Sequence, residues 1–234
     1  YLNLTPHQQK ISPQEDYLQV IATSIGGNKS DLYITQNLDH QTYIAPDGTI
    51  SDELTITRRH NWTGAELLRW EKLLKQFGFT GMSEGLKDLQ GRGVNKASLK
   101  VYLPFGTTLE NVTGINPQSV AVRSDQELEK TYLLLEMAVA PGEESKVTLR
   151  YKLPYQLGLF PADIYRFSAQ KQAGLVPTQI RHKINLAPTL TQLKTNYSSS
   201  SSPFIPTQVV PSLPDNVFAG PLQVDFYYSA IISH

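Results

Sequence analysis

Hydrophobic and polar residues alternate along much of the chain with the period of two that is typical of β-strands. The clearest case is the segment Leu54-Thr-Ile-Thr-Arg58, which predicts a strand with one buried face. Pro46-Asp-Gly48 precedes this segment and favours a tight turn, because proline fixes φ and glycine accepts a positive φ. Residues 16–61 are therefore predicted to form a strand, a glycine-containing loop and a long β-hairpin.

Further strands are predicted beyond residue 97, where short apolar runs are separated by prolines and glycines. They cover residues 98–103, 118–123, 130–138, 145–153, 164–170, 178–186 and 222–232. Short strands at this spacing favour a sandwich over a parallel βαβ sheet. The sequence thus predicts a mainly β fold, an antiparallel β-sandwich that is immunoglobulin-like in general architecture.

The hydrophobic period changes to that of a helix within residues 63–93. Apolar residues recur every three or four positions from Leu67 to Phe77, and Gly78 is suited to end the helix. The Thr63-Gly-Ala-Glu66 segment has the spacing of a capping box, and a shorter helical piece is predicted at residues 83–89. We expect a small helical insertion between two strands.

The domain organisation follows from these patterns. Residues 1–15 are polar and lack a period, so we expect them to connect the sandwich to a missing upstream domain. Residues 16–234 are expected to form the sandwich domain itself. A serine- and proline-rich loop is predicted at residues 196–216, before a final strand. No segment has the roughly 18 consecutive apolar residues that a membrane helix needs.

Composition excludes several classes of function. The 21 basic residues balance the 21 acidic ones, so charge gives no reason to expect nucleic acid or an anionic membrane as a partner. The chain has no cysteine, which excludes disulfides, a thiolate zinc site and a cysteine nucleophile. We expect no cofactor.

Several segments occur in the order seen in one bacterial family. They are Asp16-Tyr-Leu18, Gly26-Gly-Asn-Lys-Ser-Asp31, Asp47-Gly48, Thr57-Arg-Arg-His60, Val101-Tyr-Leu-Pro-Phe-Gly106, Thr148-Leu-Arg-Tyr-Lys-Leu-Pro154 and Gln170-Lys-Gln-Ala-Gly174. In this order they resemble an uncharacterised family of large bacterial cell-envelope proteins, a domain of unknown function with an N-terminal membrane anchor. The resemblance covers residues 16–174, and the helical insertion departs from the family pattern.

The resemblance implies a location and no reaction. The chain is similar to the C-terminal, β-rich extracellular region of the family. The resemblance therefore implies an extracellular, cell-wall-associated module, which is anchored at the cell surface through a segment outside this chain.

The loop Gly26, Gly27, Asn28, Lys29 and Ser30 is the best candidate for a ligand-binding site. Two glycines allow backbone N–H groups to converge on an anion such as a phosphate or a carboxylated sugar, and the lysine adds a positive charge. The alternative is a tight turn that needs glycine for its φ angles. The loop lacks the glycine spacing of a nucleotide-binding P-loop.

Catalytic and metal-binding patterns are absent from the sequence. Asp52-Glu53 and His60 offer carboxylates and an imidazole for acid–base chemistry, but a structural histidine bonded to the backbone is the favoured interpretation of His60. The remaining histidines, His7, His40, His182 and His234, are dispersed and lack the spacing of a metal site. We therefore predict no catalytic residue and no metal ligand.

Three functions remain open at this point. The first is a non-catalytic extracellular module for structure, adhesion or positioning, whose partners are an upstream domain of the same protein, a cell-wall polymer or another surface protein. The second is an accessory domain of an enzyme acting on cell-wall glycopolymers, with Lys29 in an anionic-substrate site. The third is carbohydrate binding by exposed aromatic residues, for which the candidates are Trp62, Trp70, Tyr102, Tyr132, Tyr151, Tyr155 and Tyr165.

Overall fold

The alternating segment at residues 49–60 forms one arm of a long hairpin, as predicted. Its strands are β2 (Ile34–Ile44) and β3 (Thr49–His60), and alternate side chains of both are buried. At the turn, Gly48 has φ +81° and donates its N–H to the Ala45 carbonyl at 2.9 Å. A Cβ atom at Gly48 would lie 2.1 Å from the Leu157 carbonyl oxygen. Only glycine fits this position.

The structure is a computed structural model, which describes residues 14–174, 178–199 and 216–234. Its larger sheet has seven strands. In spatial order they are β11 (Thr191–Ser199), β13 (Phe226–Ser233), β9 (Asp163–Gln170), β1 (Asp16–Ser24), β4 (Asn95–Pro104), β7 (Lys130–Val139) and β6 (Ala121–Asp125).

The smaller sheet has six strands. In spatial order they are β12 (Val217–Leu222), β10 (Thr178–Leu186), β2, β3, β8 (Glu144–Gln156) and β5 (Thr108–Thr113). The described pairs are antiparallel except for β1 with β9 and β2 with β10, which are parallel. Both sheets are thus mixed, and the mainly β fold is confirmed. A single apolar core takes side chains from the two sheets, among them Leu99 and Leu133 from the larger and Leu54 and Leu149 from the smaller.

The helical insertion between β3 and β4 is confirmed and consists of two helices and a turn. They are α1 (Gly64–Gln76), α2 (Glu84–Lys87) and a π-helical turn at Asp88–Arg92. The capping-box prediction is wrong, since the Thr63 side chain makes no cap hydrogen bond and only its carbonyl accepts from Glu66 N–H. Gly78 follows the helix with φ +81° as expected. None of the helices in the described ranges is long and apolar enough to cross a membrane.

The C-terminal part of the described chain contains more strands than predicted. The apolar run at residues 222–232 is divided between β12 and β13, and β13 lies between β9 and β11 in the larger sheet. Strand β11 reaches Ser199, inside the predicted loop. The rest of that loop, residues 200–215, and residues 1–13 of the predicted connector lie outside the described residues.

The two ends of the sandwich are different. The strand register places Asp16, the hairpin turn at Gly48 and the C-terminal residue at one end, where the His234 Nε2 lies 3.0 Å from the Pro46 carbonyl oxygen. The loop at residues 26–30 and the helical insertion lie at the opposite end, which we call the insertion end. Strand β1, nine residues and about 30 Å long, separates the two.

Candidate functional site

The predicted loop at residues 26–30 turns the chain from β1 toward β2. Gly27 has φ +68°, and the Asn28 side-chain oxygen accepts hydrogen bonds from the backbone N–H and the hydroxyl of Ser30. The Asn28 amide donates to the Val94 carbonyl at 3.1 Å. These polar groups are therefore used to fasten the loop to the residues that follow the insertion. Ligand binding by this loop stays a prediction.

Lys29 does not face a basic cleft. Its side chain is exposed, and its Nζ lies 3.5 Å from the Gln90 side-chain oxygen. Arg58 points into the interior instead, where it is 2% exposed and donates to Gln36 at 2.7 Å and Asn95 at 3.1 Å. The lysine and the arginine therefore do not converge on one ligand position.

Arg58 belongs to a buried polar network beneath this loop. Asn95 donates to the Ser30 hydroxyl at 2.9 Å and to the Asp31 carboxylate at 2.7 Å, and that carboxylate lies 3.9 Å from the arginine. Burial lowers the pKa of Arg58, and the charge of Asp31 partly opposes this effect. We expect the network to hold the loop against the sandwich.

His60 is a structural histidine, as favoured from the sequence. It is buried at the end of β3, where its Nε2 lies 3.1 Å from the Gly93 carbonyl oxygen and its Nδ1 accepts the Trp62 N–H at 3.3 Å. Burial lowers its pKa. The neutral ring therefore joins the start and the end of the insertion.

A second buried polar set lies between the two sheets and was not predicted. We call it the core cluster. Asp16 and Tyr165 come from the larger sheet, and five residues come from the smaller sheet. All seven are 0% exposed: Asp16, His40, Thr42, Asp52, Tyr151, Tyr165 and His182. They replace apolar side chains at inward positions of six strands.

The prediction that the histidines are dispersed is wrong for two of them. Strands β2 and β10 are parallel neighbours, and their register places His40 beside His182. The two Nδ1 atoms lie 3.0 Å apart, and the Nε2 of His40 lies 3.0 Å from the Tyr151 hydroxyl. The ring of Phe167 stacks on both imidazoles, at centroid distances of 4.6 Å and 4.2 Å.

The carboxyl groups of the core cluster are joined through two hydroxyls. Thr42 Oγ1 lies 2.6 Å from Asp52 Oδ1 and 2.9 Å from the Tyr165 hydroxyl. The Tyr165 hydroxyl lies 2.5 Å from Asp16 Oδ2. Three hydrogen bonds in series need three protons, and the two hydroxyls supply two. A carboxyl group must supply the third, so the series is complete when one of the two acids is protonated.

Burial has the expected effect on these acids and bases. It raises the pKa of Asp16 from 3.8 to about 7, against the lowering effect of the Tyr165 hydrogen bond. It raises the pKa of Asp52 well above its ordinary value, and the charge of Asp16 adds to the rise. Burial also lowers the pKa of His40 to about 3 and that of His182 well below 6.5. In the absence of a cation, the core cluster therefore favours neutral imidazoles and a shared carboxyl proton.

The core cluster also contains donors that suit a metal ion. Asp16, His40 and Asp52 each offer one ligand atom, and these three atoms lie within 4.8 Å of one another. Two carboxylates and an imidazole form a donor set found in sites for divalent metals.

The aromatic residues considered for sugar stacking do not form an exposed platform. Tyr151 and Tyr165 are fully buried, and Trp62 and Tyr102 are nearly so. Trp70 donates its indole N–H to the Tyr33 hydroxyl at 3.1 Å and thereby attaches α1 to the sandwich. These rings stabilise the fold.

No family model and no curated protein sequence matches this chain. Among solved structures, it is similar to a candidate nutrient-binding protein from Legionella pneumophila, with 9% identity and a TM-score of 0.43 over 93% of this chain and 71% of that one. It is also similar to an M1 zinc metallopeptidase from Deinococcus radiodurans, with 11% identity and a TM-score of 0.34. That match covers 88% of this chain and only 43% of the peptidase. Likenesses this distant do not bear on activity.

Proposed function

We propose that the chain is a non-catalytic, extracellular module of a bacterial cell-envelope protein, which serves in adhesion or positioning by docking its insertion end on an apolar surface of another protein. The observation that carries this proposal is the distribution of exposed apolar side chains. Eight of the twelve large hydrophobic residues that are exposed in the described structure lie at the insertion end: Ile25, Leu32, Leu68, Leu73, Phe77, Phe79, Leu89 and Val94. A concentration of exposed apolar side chains at one end of a domain is typical of protein-interaction surfaces.

The helix α1 provides the clearest part of this surface. It has no buried residue, although its sequence is amphipathic. Leu68 is 67% exposed and Phe77 is 72% exposed. The body of the sandwich therefore leaves part of the apolar surface of α1 uncovered, while Leu67, Trp70 and Leu74 are half-buried.

Charge supports a protein partner over an anionic polymer. Residues 63–93 carry five basic and four acidic side chains, and several of them pair with one another. Glu84 forms ion pairs with Lys87 at 2.8 Å and Arg92 at 2.6 Å, and Arg92 also contacts Asp88 at 2.7 Å. A nearly neutral surface has little attraction for teichoic-acid-like polymers or an anionic membrane.

The rival function, an accessory role in glycopolymer cleavage, lacks comparable support. It requires Lys29 in a cleft with a second cation, whereas Lys29 is exposed and Arg58 is directed inward. The convergent acid–base groups of the described chain lie in the core cluster, where no polymer can reach them. Both observations favour a module that binds without catalysing a reaction.

A binding experiment on bacterial envelopes tests the proposal. Fluorescently labelled chain is added to envelope fragments, either intact or stripped of surface proteins by protease. We expect saturable binding to intact fragments only. The triple variant Leu68→Ser, Leu73→Ser, Phe77→Ser should lose binding, because it removes exposed apolar surface without touching the core.

The matched control changes exposed apolar residues elsewhere. The variant Phe105→Ser, Val122→Ser, Leu193→Ser alters residues that are similarly exposed but lie outside the insertion end, and it should bind like the unchanged chain. Equal binding by both variants, no binding by the unchanged chain, or release of soluble fragments from cell-wall polymer by the chain would each contradict the proposal.

A further inference from the structure

The carboxyl groups of the core cluster have no cationic partner among the residues that the structure describes. Within the described ranges, the ion-pair contacts of Asp16 and Asp52 are to His40 alone, at 3.9 Å in each case. Two carboxyl groups with no solvent exposure are costly to ionise unless a positive charge lies beside them. A cation held by both groups would remove this cost.

One oxygen of each carboxyl group is also without a hydrogen-bond partner. Asp16 Oδ1 and Asp52 Oδ2 are buried and make no hydrogen bond to any part of the chain that the structure describes. The other two oxygens accept from hydroxyl groups. A cation bound by one oxygen of each carboxylate would place positive charge beside the unpartnered oxygens as well, without a change of fold.

The distances are close to those of a metal site. The Nε2 of His40 lies 3.9 Å from both Asp16 Oδ2 and Asp52 Oδ1. Ligand atoms around a tetrahedral zinc ion, with bonds of about 2.1 Å, lie roughly 3.4 Å apart. Each distance from His40 to a carboxylate oxygen must therefore shorten by about half an ångström. The two carboxylate oxygens lie within 4.8 Å of each other, so they must approach by up to about 1.4 Å.

His182 is placed to orient the metal-binding imidazole. A histidine that binds a metal through Nε2 donates its Nδ1–H to a neighbour, which fixes the tautomer. The Nδ1 of His40 has such a neighbour in the His182 Nδ1 at 3.0 Å. The Tyr151 hydroxyl, 3.0 Å from the His40 Nε2, lies on the metal side of the ring and can serve as a fourth ligand.

We propose that Asp16, His40 and Asp52 bind a divalent cation of the zinc type between the two sheets, with Tyr151 completing the site and His182 as a positioning residue. The cation joins the sheets, because Asp16 belongs to the larger sheet and the other two ligands belong to the smaller. Two carboxylates and a doubly charged cation form a neutral centre. The shared carboxyl proton passes to solvent when the ion binds, so the Thr42–Tyr165 contact is then no longer a hydrogen bond, while both hydroxyls still donate to the carboxylates. Since the centre is fully buried, the ion enters as the chain folds.

Refolding of the full chain with and without zinc tests the proposal. The chain is unfolded in guanidinium with EDTA, then refolded by dilution into buffer containing either ZnCl2 or EDTA. After gel filtration, we expect one zinc per chain by elemental analysis and a higher Tm for the zinc-refolded protein. Refolding with Co²⁺ should give visible d–d absorption bands of a nitrogen- and oxygen-coordinated ion.

Three variants separate the roles of the residues. Asp52→Asn should retain less than about a tenth of the zinc, because a ligand is lost. His182→Leu should weaken zinc binding by about 10- to 100-fold in competition with a chelator, since it removes the orienting partner. His60→Gln, which changes a buried histidine outside the core cluster, should bind zinc as the unchanged chain does.

If Asp52→Asn fails to fold, the cobalt spectrum still tests the proposal, because it is recorded on the unchanged chain. The proposal is overturned if the refolded chain carries no stoichiometric zinc or cobalt and has the same Tm in both buffers. The two carboxyl groups would then be balanced by their shared proton alone. Zinc retained equally by Asp52→Asn and the unchanged chain would also overturn it.

Discussion

The Nδ1 atoms of His40 and His182 lie 3.0 Å apart, although 142 positions separate the two residues in the sequence. The contact depends on the parallel pairing of β2 with β10, which places the two histidines in register. Both rings then point into the interior beside Asp16 and Asp52. A convergent set of acids and bases thus exists in this chain, but the sandwich encloses it.

Thr42→Val tests the hydrogen-bond series that joins the two carboxyl groups. The substitution removes the middle hydroxyl, so the Asp52 carboxyl loses its hydrogen-bond partner and the Tyr165 hydroxyl keeps only its bond to Asp16. We therefore expect the free energy of unfolding to fall by about 2–4 kcal/mol. Thr55→Val is the matched control. Thr55 pairs with Thr148 at 2.9 Å on the outer face of the same sheet, where water can replace the hydrogen bond. The Thr55→Val substitution should therefore lower the free energy of unfolding by less than about 1 kcal/mol. Equal losses of unfolding free energy for the two variants in denaturant titrations would contradict the proposed series of hydrogen bonds.

Asp16 should make the stability of the metal-free protein fall as pH rises. Its pKa is raised from 3.8 to about 7 in the folded protein, so the folded state holds the proton more tightly than the unfolded state. The resulting stabilisation is complete below 3.8 and is lost as pH rises through about 7. Measured in EDTA, the unfolding free energy of the unchanged chain minus that of Asp16→Asn should decrease over this range. A difference that rises or stays constant with pH refutes the expectation.

Arg58→Met should destabilise the insertion end. The change leaves the side-chain oxygens of Gln36 and Asn95 without their donor in a buried place, and we expect a loss of about 3 kcal/mol. Amide exchange should also rise in the loop at residues 26–30, because Asn95 links that loop to the arginine. Arg59→Met, an exposed neighbour, should change stability by less than about 0.5 kcal/mol. Unchanged exchange in the loop would show that the network does not hold it.

Gly48→Ala and Gly142→Ala separate backbone strain from steric clash. Both glycines have φ +81°, so alanine at either position costs about 1–2 kcal/mol for its left-handed conformation. A Cβ atom at Gly142 meets nothing within 4 Å, whereas one at Gly48 would lie 2.1 Å from the Leu157 carbonyl oxygen. Gly48→Ala should therefore be the more destabilising change by about 2 kcal/mol or more in thermal unfolding. Equal effects would mean that the hairpin turn moves freely away from Leu157.

The fold could be predicted from local patterns, because the alternation of apolar and polar residues in β3 and the turn residues around Gly48 each involve only a few neighbouring positions. Helix α1 was predicted for the same reason, from the spacing of apolar residues between Leu67 and Phe77. Strand β5 was missed, since only Val112 of its six residues is buried. Such an edge strand leaves little periodic signal.

The core cluster could not be found in the same way, because it depends on which strands are neighbours. A partial signal existed, since Gln36, His40 and Thr42 occupy inward positions in phase with Leu38 on β2. Polar residues on the buried face of a strand indicate a polar network in the core. Their partners on β10 could not be identified without the parallel register, which the sequence pattern does not reveal.

Chemical modification of histidines tests most directly the claim that the convergent acid–base groups are enclosed and do not meet a substrate. Native protein is treated with diethyl pyrocarbonate, and the modified sites are identified by mass spectrometry. His234 is exposed and should react, whereas His40 and His182 are 0% exposed and should react only after unfolding. Modification of His40 or His182 in the native protein at the rate of His234 would show that the core cluster opens to solvent, and it would contradict the account.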